Sequence, residues 1–339
     1  MKILGKMIII LAVFGLPLAN HVHAETINIP LQKLTADAAM ELNCVADSRD
    51  VSLPIPDRWA LKQVVLNLRY VFSSSLKPET SQLRIRLNNT LIAQERLAPQ
   101  STAPSLSIPL PVALLKTGYN AITVQVTQNS SGSQCGACTP DLWTVVNLQE
   151  SNVQIDYALK PVNLSLSELS GFIFDPRLMP FGQANIVVTD RSEKNVTLAG
   201  VVASGIARRF DYRKVKFTAS SDFQAGVDNV LIGKRDDILK QFGKYGLPLN
   251  KVEGGYLKLA HLPTSTGEID PNHSLLIVTG ETDEAVRMAA LTFANLTFEL
   301  PGSDEAKIFG FSMPEIVKYS GRESLTPGVT YDFRTLNFA

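Results

Sequence analysis

The sequence predicts a multidomain β plus α/β fold: a jelly-roll-like β-sandwich, then an α/β domain, then the first strands of a second β domain. Three observations predict it. Residues 25–160 alternate apolar and polar positions with period two. Residues 161–300 alternate short apolar runs with stretches of helical period, and Lys160-Pro161 marks the change.

Residues 1–24 read as an export signal. Lys2 and Lys6 give the positive start, Met7–Leu18 the apolar core and Val22-His23-Ala24 a small-residue cleavage site. The core is interrupted by Gly15 and Pro17 and is short for a membrane span of about 20 residues. The expected compartment is therefore an oxidising one outside the cytoplasm.

In residues 25–160, Val64, Leu66, Leu68 and Tyr70 face one way. Leu83, Ile85 and Leu87 do the same with Arg84 and Arg86 opposite, and Ile122, Val124 and Val126 repeat the pattern. Turn signals at Pro54, Pro56, Lys77-Pro78, Asn88-Asn89, Pro109-Pro111 and Gly118-Tyr119-Asn120 cut the run into short strands, which favours two packed sheets. Cys44, Cys135 and Cys138 predict one disulfide and one odd thiol, with the pairing open. The Cys135-Gly-Ala-Cys138 spacing is that of a redox pair, but its flanks read as loop rather than a helix start, so a structural bridge is expected.

Beyond Pro161, strands are expected at Asn185–Thr189, Val215–Thr218, Val230–Gly233, Tyr256–Ala260 and Ser274–Thr279. Helices are expected at Val196–Phe210, Asp236–Phe242 and after Thr282, where Ala285, Met288, Ala289 and Phe293 recur at helical spacing. Such alternation implies a mostly parallel sheet covered on both faces, with the continuous run Ser274–Thr279 as a central parallel strand. From Lys307 on, Ile308–Ser312 and Val329–Phe338 read as strands, too few to bury a core of their own.

The composition narrows the function. Lysine plus arginine and aspartate plus glutamate both number 32, so there is no basic excess to point to a nucleic acid. His261 and His273 sit beside a proline or in a loop without Cys or His at ligand spacing, so neither zinc nor a histidine base is expected. Ala203-Ser204-Gly205 lies inside a helical pattern and is not a nucleophile elbow. Two strand-to-helix loops have the position of a nucleotide site, Gly233-Lys-Arg-Asp-Asp237 and Thr279-Gly-Glu-Thr-Asp-Glu284. Their carboxylates occupy the helix N-termini where phosphate would sit, so no cofactor is expected. Carbohydrate recognition remains, with Trp59, Tyr70 and Trp143 as candidate stacking surfaces.

Several motifs, in this order, resemble the regulatory B subunit of bacterial cellulose synthase. They are Ser81-Gln-Leu-Arg84 with Leu87-Asn88, Leu142-Trp143, Phe174-Asp-Pro-Arg177, and Leu275–Gly280 with Asp283. The resemblance implies tandem pairs of a carbohydrate-binding jelly roll and a flavodoxin-like domain. It also implies a membrane anchor and support of an inner-membrane catalytic subunit. On that pattern residues 1–24 are the signal, 25–160 a jelly roll, 161–300 a flavodoxin-like domain and 301–339 the start of a second β domain without the anchor.

Family members are often labelled cyclic di-GMP-binding. Here Arg208-Arg209-Phe-Asp-Tyr-Arg213 has the paired arginines of one receptor class, but Asp222-Phe-Gln-Ala-Gly226 lacks its Asp/Asn-x-Ser-x-x-Gly partner. A basic helix end complementing its own dipole is expected instead. The function implied is a non-enzymatic periplasmic accessory subunit with the catalytic subunit and a β-1,4-glucan as partners, and self-association is left open. A free oligosaccharide-binding protein and an exported glycan-active enzyme with a β accessory module are the alternatives.

Overall fold

A computed structural model describes residues 25–35, 37–98, 104–130 and 138–310. The chain divides into two compact units. The first holds β1 (Glu25–Pro30), β2 (Ala39–Asn43), β3 (Ala46–Ile55), β4 (Trp59–Phe72) and β5 (Gln82–Leu87). It continues with β6 (Thr90–Arg96), β7 (Ser105–Pro109), β8 (Gly118–Thr127), β9 (Trp143–Asn147) and β10 (Asn152–Leu159). These strands form a six-stranded sheet in the order β1-β10-β4-β9-β2, with β7 also on β4, and a four-stranded sheet in the order β3-β8-β5-β6. Long β4 pairs with β10 through Trp59–Asn67 and with β9 through Tyr70–Phe72.

The period-two reading holds residue by residue. Val64, Leu66, Leu68 and Tyr70 of one sheet and Leu83, Ile85, Leu87, Ile122, Val124 and Val126 of the other are all buried, which makes the unit a β-sandwich. Asn88 and Asn89, at φ 48° and 70°, make the two-residue turn between β5 and β6, where a left-handed backbone favours Asn.

The second unit contains β11 (Gly182–Val188), α1 (Glu193–Arg209), β12 (Val215–Ser220), β13 (Asn229–Ile232) and α2 (Arg235–Phe242). It ends with β14 (Gly255–Pro263), β15 (Ile269–Gly280), α3 (Asp283–Ala294) and β16 (Glu305–Ile308). Its sheet has the order β12-β11-β13-β15-β14-β16. Strands β12, β11, β13 and β15 run parallel, whereas β14 is antiparallel to both β15 and β16.

The sheet is therefore mixed, and β15 has one parallel and one antiparallel neighbour rather than two parallel ones. The cause is the link from β14 to β15. It is a turn closed by Thr264 N donating to Glu268 O (2.8 Å) with Gly267 at φ 84°, too short for a parallel crossover. Ile308, expected to open a third segment, closes β16 against Gly255 of β14. Phe311–Ser312 and Val329–Phe338 lie outside the described residues.

Helices cover both faces of this sheet. Leu276 and Val278 of β15 pack towards α1 and α3 with Val202, Ile206, Val286 and Phe293, while Leu275 and Ile277 pack towards α2 with Ile238 and Phe242. Burial on both faces explains the unbroken apolar run of β15. Thr282 caps α3 as its position suggests, its hydroxyl accepting from Ala285 N (3.2 Å).

The second unit buries a small polar network. Asn185, fully buried, donates to Asn229 Oδ1 (2.7 Å) and Ser220 Oγ (2.8 Å), while Asn229 donates to the Val227 and Gln224 carbonyls. Segment Pro54–Arg58 counts with this unit. In it Arg58 pairs with buried Asp228 (2.5 Å), which also accepts from Ser274 N and Oγ, both at 2.8 Å. Burial pushes the Asp228 carboxyl up, but the Arg58 guanidinium and the hydrogen bonds outweigh that and hold it below the usual carboxylate range.

Candidate functional site

Because alternate residues of β4 fill the sandwich core, Val65, Asn67, Arg69 and Val71 fall on the outer face of the six-stranded sheet. Register then assembles a polar surface around Asn67. It lies opposite Asn152 of β10 on one side and Ser107 of β7 on the other. Asn67 Nδ2 donates to Asn152 Oδ1 (3.1 Å), and Ser107 Oγ donates to Asn67 Oδ1 (2.9 Å). Two residues on, Gln154 is flanked by Val65 and Asn28, and beyond it Thr26 Oγ1 donates to Asp156 (2.7 Å).

The same face turns apolar at its other end. Val71, 45% exposed, pairs with Val145, and half-buried Trp143 follows two residues along β9 on the same side. Side-chain amides and hydroxyls can each donate and accept, as sugar hydroxyls do, and an indole face can receive the apolar face of a pyranose. An open sheet with both features in register can hold a linear neutral polymer.

The three aromatic candidates separate here. Trp143 lies on this face. Trp59 and Tyr70 do not: each is 4% exposed. Trp59 stacks on Tyr157 at 4.3 Å between centroids, and Tyr70 lies against Phe72 at 6.2 Å. Both are core aromatics with no ring face open to a sugar, which corrects that expectation. Tyr70 belongs to the same inward row as Val64, Leu66 and Leu68, a placement already visible in its spacing. The amide row escaped the sequence reading. Its signal was the polar half of the alternation in V-V-L-N-L-R-Y and N-V-Q-I-D-Y.

Cys44 is bonded to Cys138, 94 residues away, and Cys135 lies outside the described residues. Beside the bridge, fully buried Gln128 donates to Cys44 O (2.9 Å) and accepts from Thr144 Oγ1 (2.7 Å), so the disulfide is part of the sandwich framework.

In the second unit the two nucleotide-like loops follow β13 and β15. Asp283 pairs with Lys194 of α1 (2.9 Å), a hydrogen bond and a charge that lower its pKa. Glu281 faces Arg235 of α2 (3.8 Å), and Lys234 pairs with Asp237 (3.6 Å). The acids and bases of these loops answer each other. The arginine motif disperses: Arg208 donates to Ala294 O (3.4 Å), Arg209 to Gly205 O (3.0 Å) in its own helix, and Arg213 to Pro176 O (3.0 Å). Asp175, fully buried, accepts from Arg177 N (2.9 Å) and Nε (2.7 Å), so Phe174–Arg177 is a structural turn. Ser204 and Gly205 lie within α1. His273 meets Asp270 (2.7 Å), and no cluster of three metal-ligating side chains occurs among the described residues.

Two family models match the chain. Residues 24–159 match the first CBM domain of cellulose synthase BcsB, and residues 165–306 match its first FD domain. The chain is 25% identical over 277 residues to cellulose synthase 1 of Novacetimonas hansenii, covering 81% of this chain and 17% of that protein. It is 26% identical over 265 residues to a cyclic di-GMP-binding protein of Komagataeibacter sucrofermentans, covering 76% and 31%. A cyclic di-GMP-binding protein of Pseudomonas fluorescens gives 24% over 272 residues, covering 78% and 34%. The chain thus spans about a third or less of the length of these curated relatives. Similar solved structures include a family 35 carbohydrate binding module from an environmental isolate, at 14% identity and TM-score 0.21, covering 34% of this chain and 68% of that one. With both of its units matched in order, the chain belongs to the cellulose synthase BcsB family, a carbohydrate-binding module followed by a mixed α/β domain.

Proposed function

We propose that this chain is a non-catalytic accessory region of a bacterial cellulose synthase that contacts the emerging β-1,4-glucan. The contact is the outer face of the six-stranded sheet, with Trp143 as the stacking ring and Asn67, Asn152 and Gln154 reading hydroxyls. The single observation that carries the reading is the juxtaposition, on one open face, of an interlinked amide row with an accessible indole. In this reading the sandwich is a jelly roll and the α/β unit, β16 included, a flavodoxin-like scaffold, with a second β domain beginning only after Ile308 rather than at residue 301. The partner is the inner-membrane catalytic subunit, met from the periplasm.

Titrating the full chain with cellohexaose while following tryptophan fluorescence tests the glucan contact. A saturable change that survives Trp59→Phe and disappears in Trp143→Phe is expected. No change at millimolar cellohexaose would overturn it. The subunit role is tested by co-purification with the multispanning catalytic subunit in a mild detergent, and a free oligosaccharide-binding protein would bind glucan without co-purifying.

A further inference from the structure

Strand β12 is an edge of the second unit's sheet, with β11 as its one partner strand among the described residues. Gly182 N donates to Lys214 O (2.8 Å), and the register sets Gly182 beside Val215 and Ala184 beside Phe217. Backbone groups of alternate residues face opposite ways along a strand. Those of Lys214, Lys216 and Thr218 therefore turn towards β11, and those of Val215, Phe217 and Ala219 turn outwards. No backbone bond from a loop reaches these three among the described residues. Such a row of open N–H and C=O groups is a template for one more strand.

The two faces of this edge differ. Phe217 and Ala219 stand beside Ala184 and Ile186 of β11, on the side covered by α1. With Val196, Ala199, Gly200 and Ala203 of α1 they line an open groove of about 420 Å³. Val196 is 54% exposed and Phe217 36%, so apolar surface is left uncovered. A side chain at Gly200 would meet open space, so nothing packed on α1 requires a glycine there. Exposed Arg191, which also lines the groove, is a cation. The opposite face carries Lys216, beside Gln183, and Lys214 two residues before it. Both are exposed, and neither ammonium has an ion pair or hydrogen bond among the described residues. Asp222, just past the strand, is engaged by Lys244 (3.3 Å) and Tyr245 (2.8 Å).

We propose that the β12 edge binds an extended segment of a partner protein in which apolar and acidic residues alternate. The backbone of the segment pairs with the outward groups of Val215, Phe217 and Ala219. Its apolar side chains fill the groove beside α1, and its carboxylates meet Lys214 and Lys216 on the other face. An added strand shares the pleat of β12 whichever way it runs, so the edge itself dictates the alternation. This edge is independent of the glucan contact made by the sandwich.

The test is fluorescence anisotropy of a labelled peptide of about eight residues, alternating valine and glutamate, titrated with the full chain. Saturable binding is expected. Lysine in place of glutamate should weaken it at least about tenfold, because like charges then face each other. Methylating the peptide nitrogens that face β12 should abolish it, since the ladder donors are lost while the side chains stay. In the protein, Lys214→Glu with Lys216→Glu should weaken binding about tenfold or more and reverse the preference towards the lysine peptide. Gly200→Leu should fill the groove and weaken binding about tenfold with Tm unchanged or higher, because leucine favours a helix more than glycine does. Equal binding of the two peptides, binding that survives methylation, or no binding to the natural chain would each overturn the assignment. In the last case the lysines only guard the edge against pairing. A concentration-dependent dimer that Gly200→Leu abolishes and the glutamate peptide leaves intact would also overturn it, because a second copy would then hold the edge.

Discussion

The outer face of the sandwich and the interior of the α/β unit use the same kinds of side chain in opposite ways. On the sandwich, Asn67, Asn152 and Ser107 stand on an open sheet, and among the described residues their side chains bond only sideways to one another. In the α/β unit, Asn185, Asn229 and Asp228 are buried and bonded to backbone and to each other. A polar row on an open face can exchange its bonds for those of a ligand at little cost. A buried network cannot, since each lost partner leaves a group both desolvated and unsatisfied. On the proposed reading, recognition belongs to the first unit and rigidity to the second.

The largest effect should come from breaking the buried pair. Asp228→Ala leaves Arg58 charged and unpaired and should cost about 3–5 kcal/mol in urea unfolding, with glucan affinity of the remaining folded protein unchanged. The same carboxylate sets a pH dependence. Its pKa is lower folded than unfolded, so its stabilisation is complete above about pH 5 and is lost as the pH falls through the depressed folded value. Asp228→Asn should flatten that acid limb of a Tm against pH curve.

Next in size, Asn185→Leu removes the buried donor to Asn229 Oδ1 and Ser220 Oγ and the acceptor of the Thr218 hydroxyl, and should cost about 2–3 kcal/mol. Gly280→Ala places a Cβ 2.5 Å from Ala285 Cβ and 2.8 Å from its carbonyl carbon, and should cost about 1–3 kcal/mol by forcing α3 off the sheet. On the open face the balance reverses. Trp143→Ala should lower cello-oligosaccharide affinity about tenfold, equivalent to ~1.4 kcal/mol, for a smaller loss of stability. Asn67→Ala should be the mildest, within about 0.5 kcal/mol of natural stability and a few-fold weaker in binding.

Much of this architecture was legible from period alone. The inward rows of the sandwich, the Thr282 cap and the apolar β15 follow from spacing, because burial on one face or two writes itself into the sequence. The direction of β14 was not read, though the short Thr264–Gly267 turn carried it, because strand direction depends on connection length rather than on apolar pattern. Of the aromatic candidates, Trp143 lies on the proposed face and Tyr70 stands in the inward row with Val64, Leu66 and Leu68, whereas Trp59 is out of step with that row and is buried beside the register irregularity at Asp156 and Tyr157. The amide row needed register, and register across three strands separated by up to 85 residues cannot be read from any one of them.

The most direct test of the division between the units is an amide-resolved NMR titration of the full chain with cellohexaose. The account predicts shifts concentrated at Val71, Trp143, Val145, Asn67 and Asn152, with β11, β13 and β15 silent. Shifts concentrated in the α/β unit, or on the Arg84 and Arg86 side of the four-stranded sheet, would contradict it.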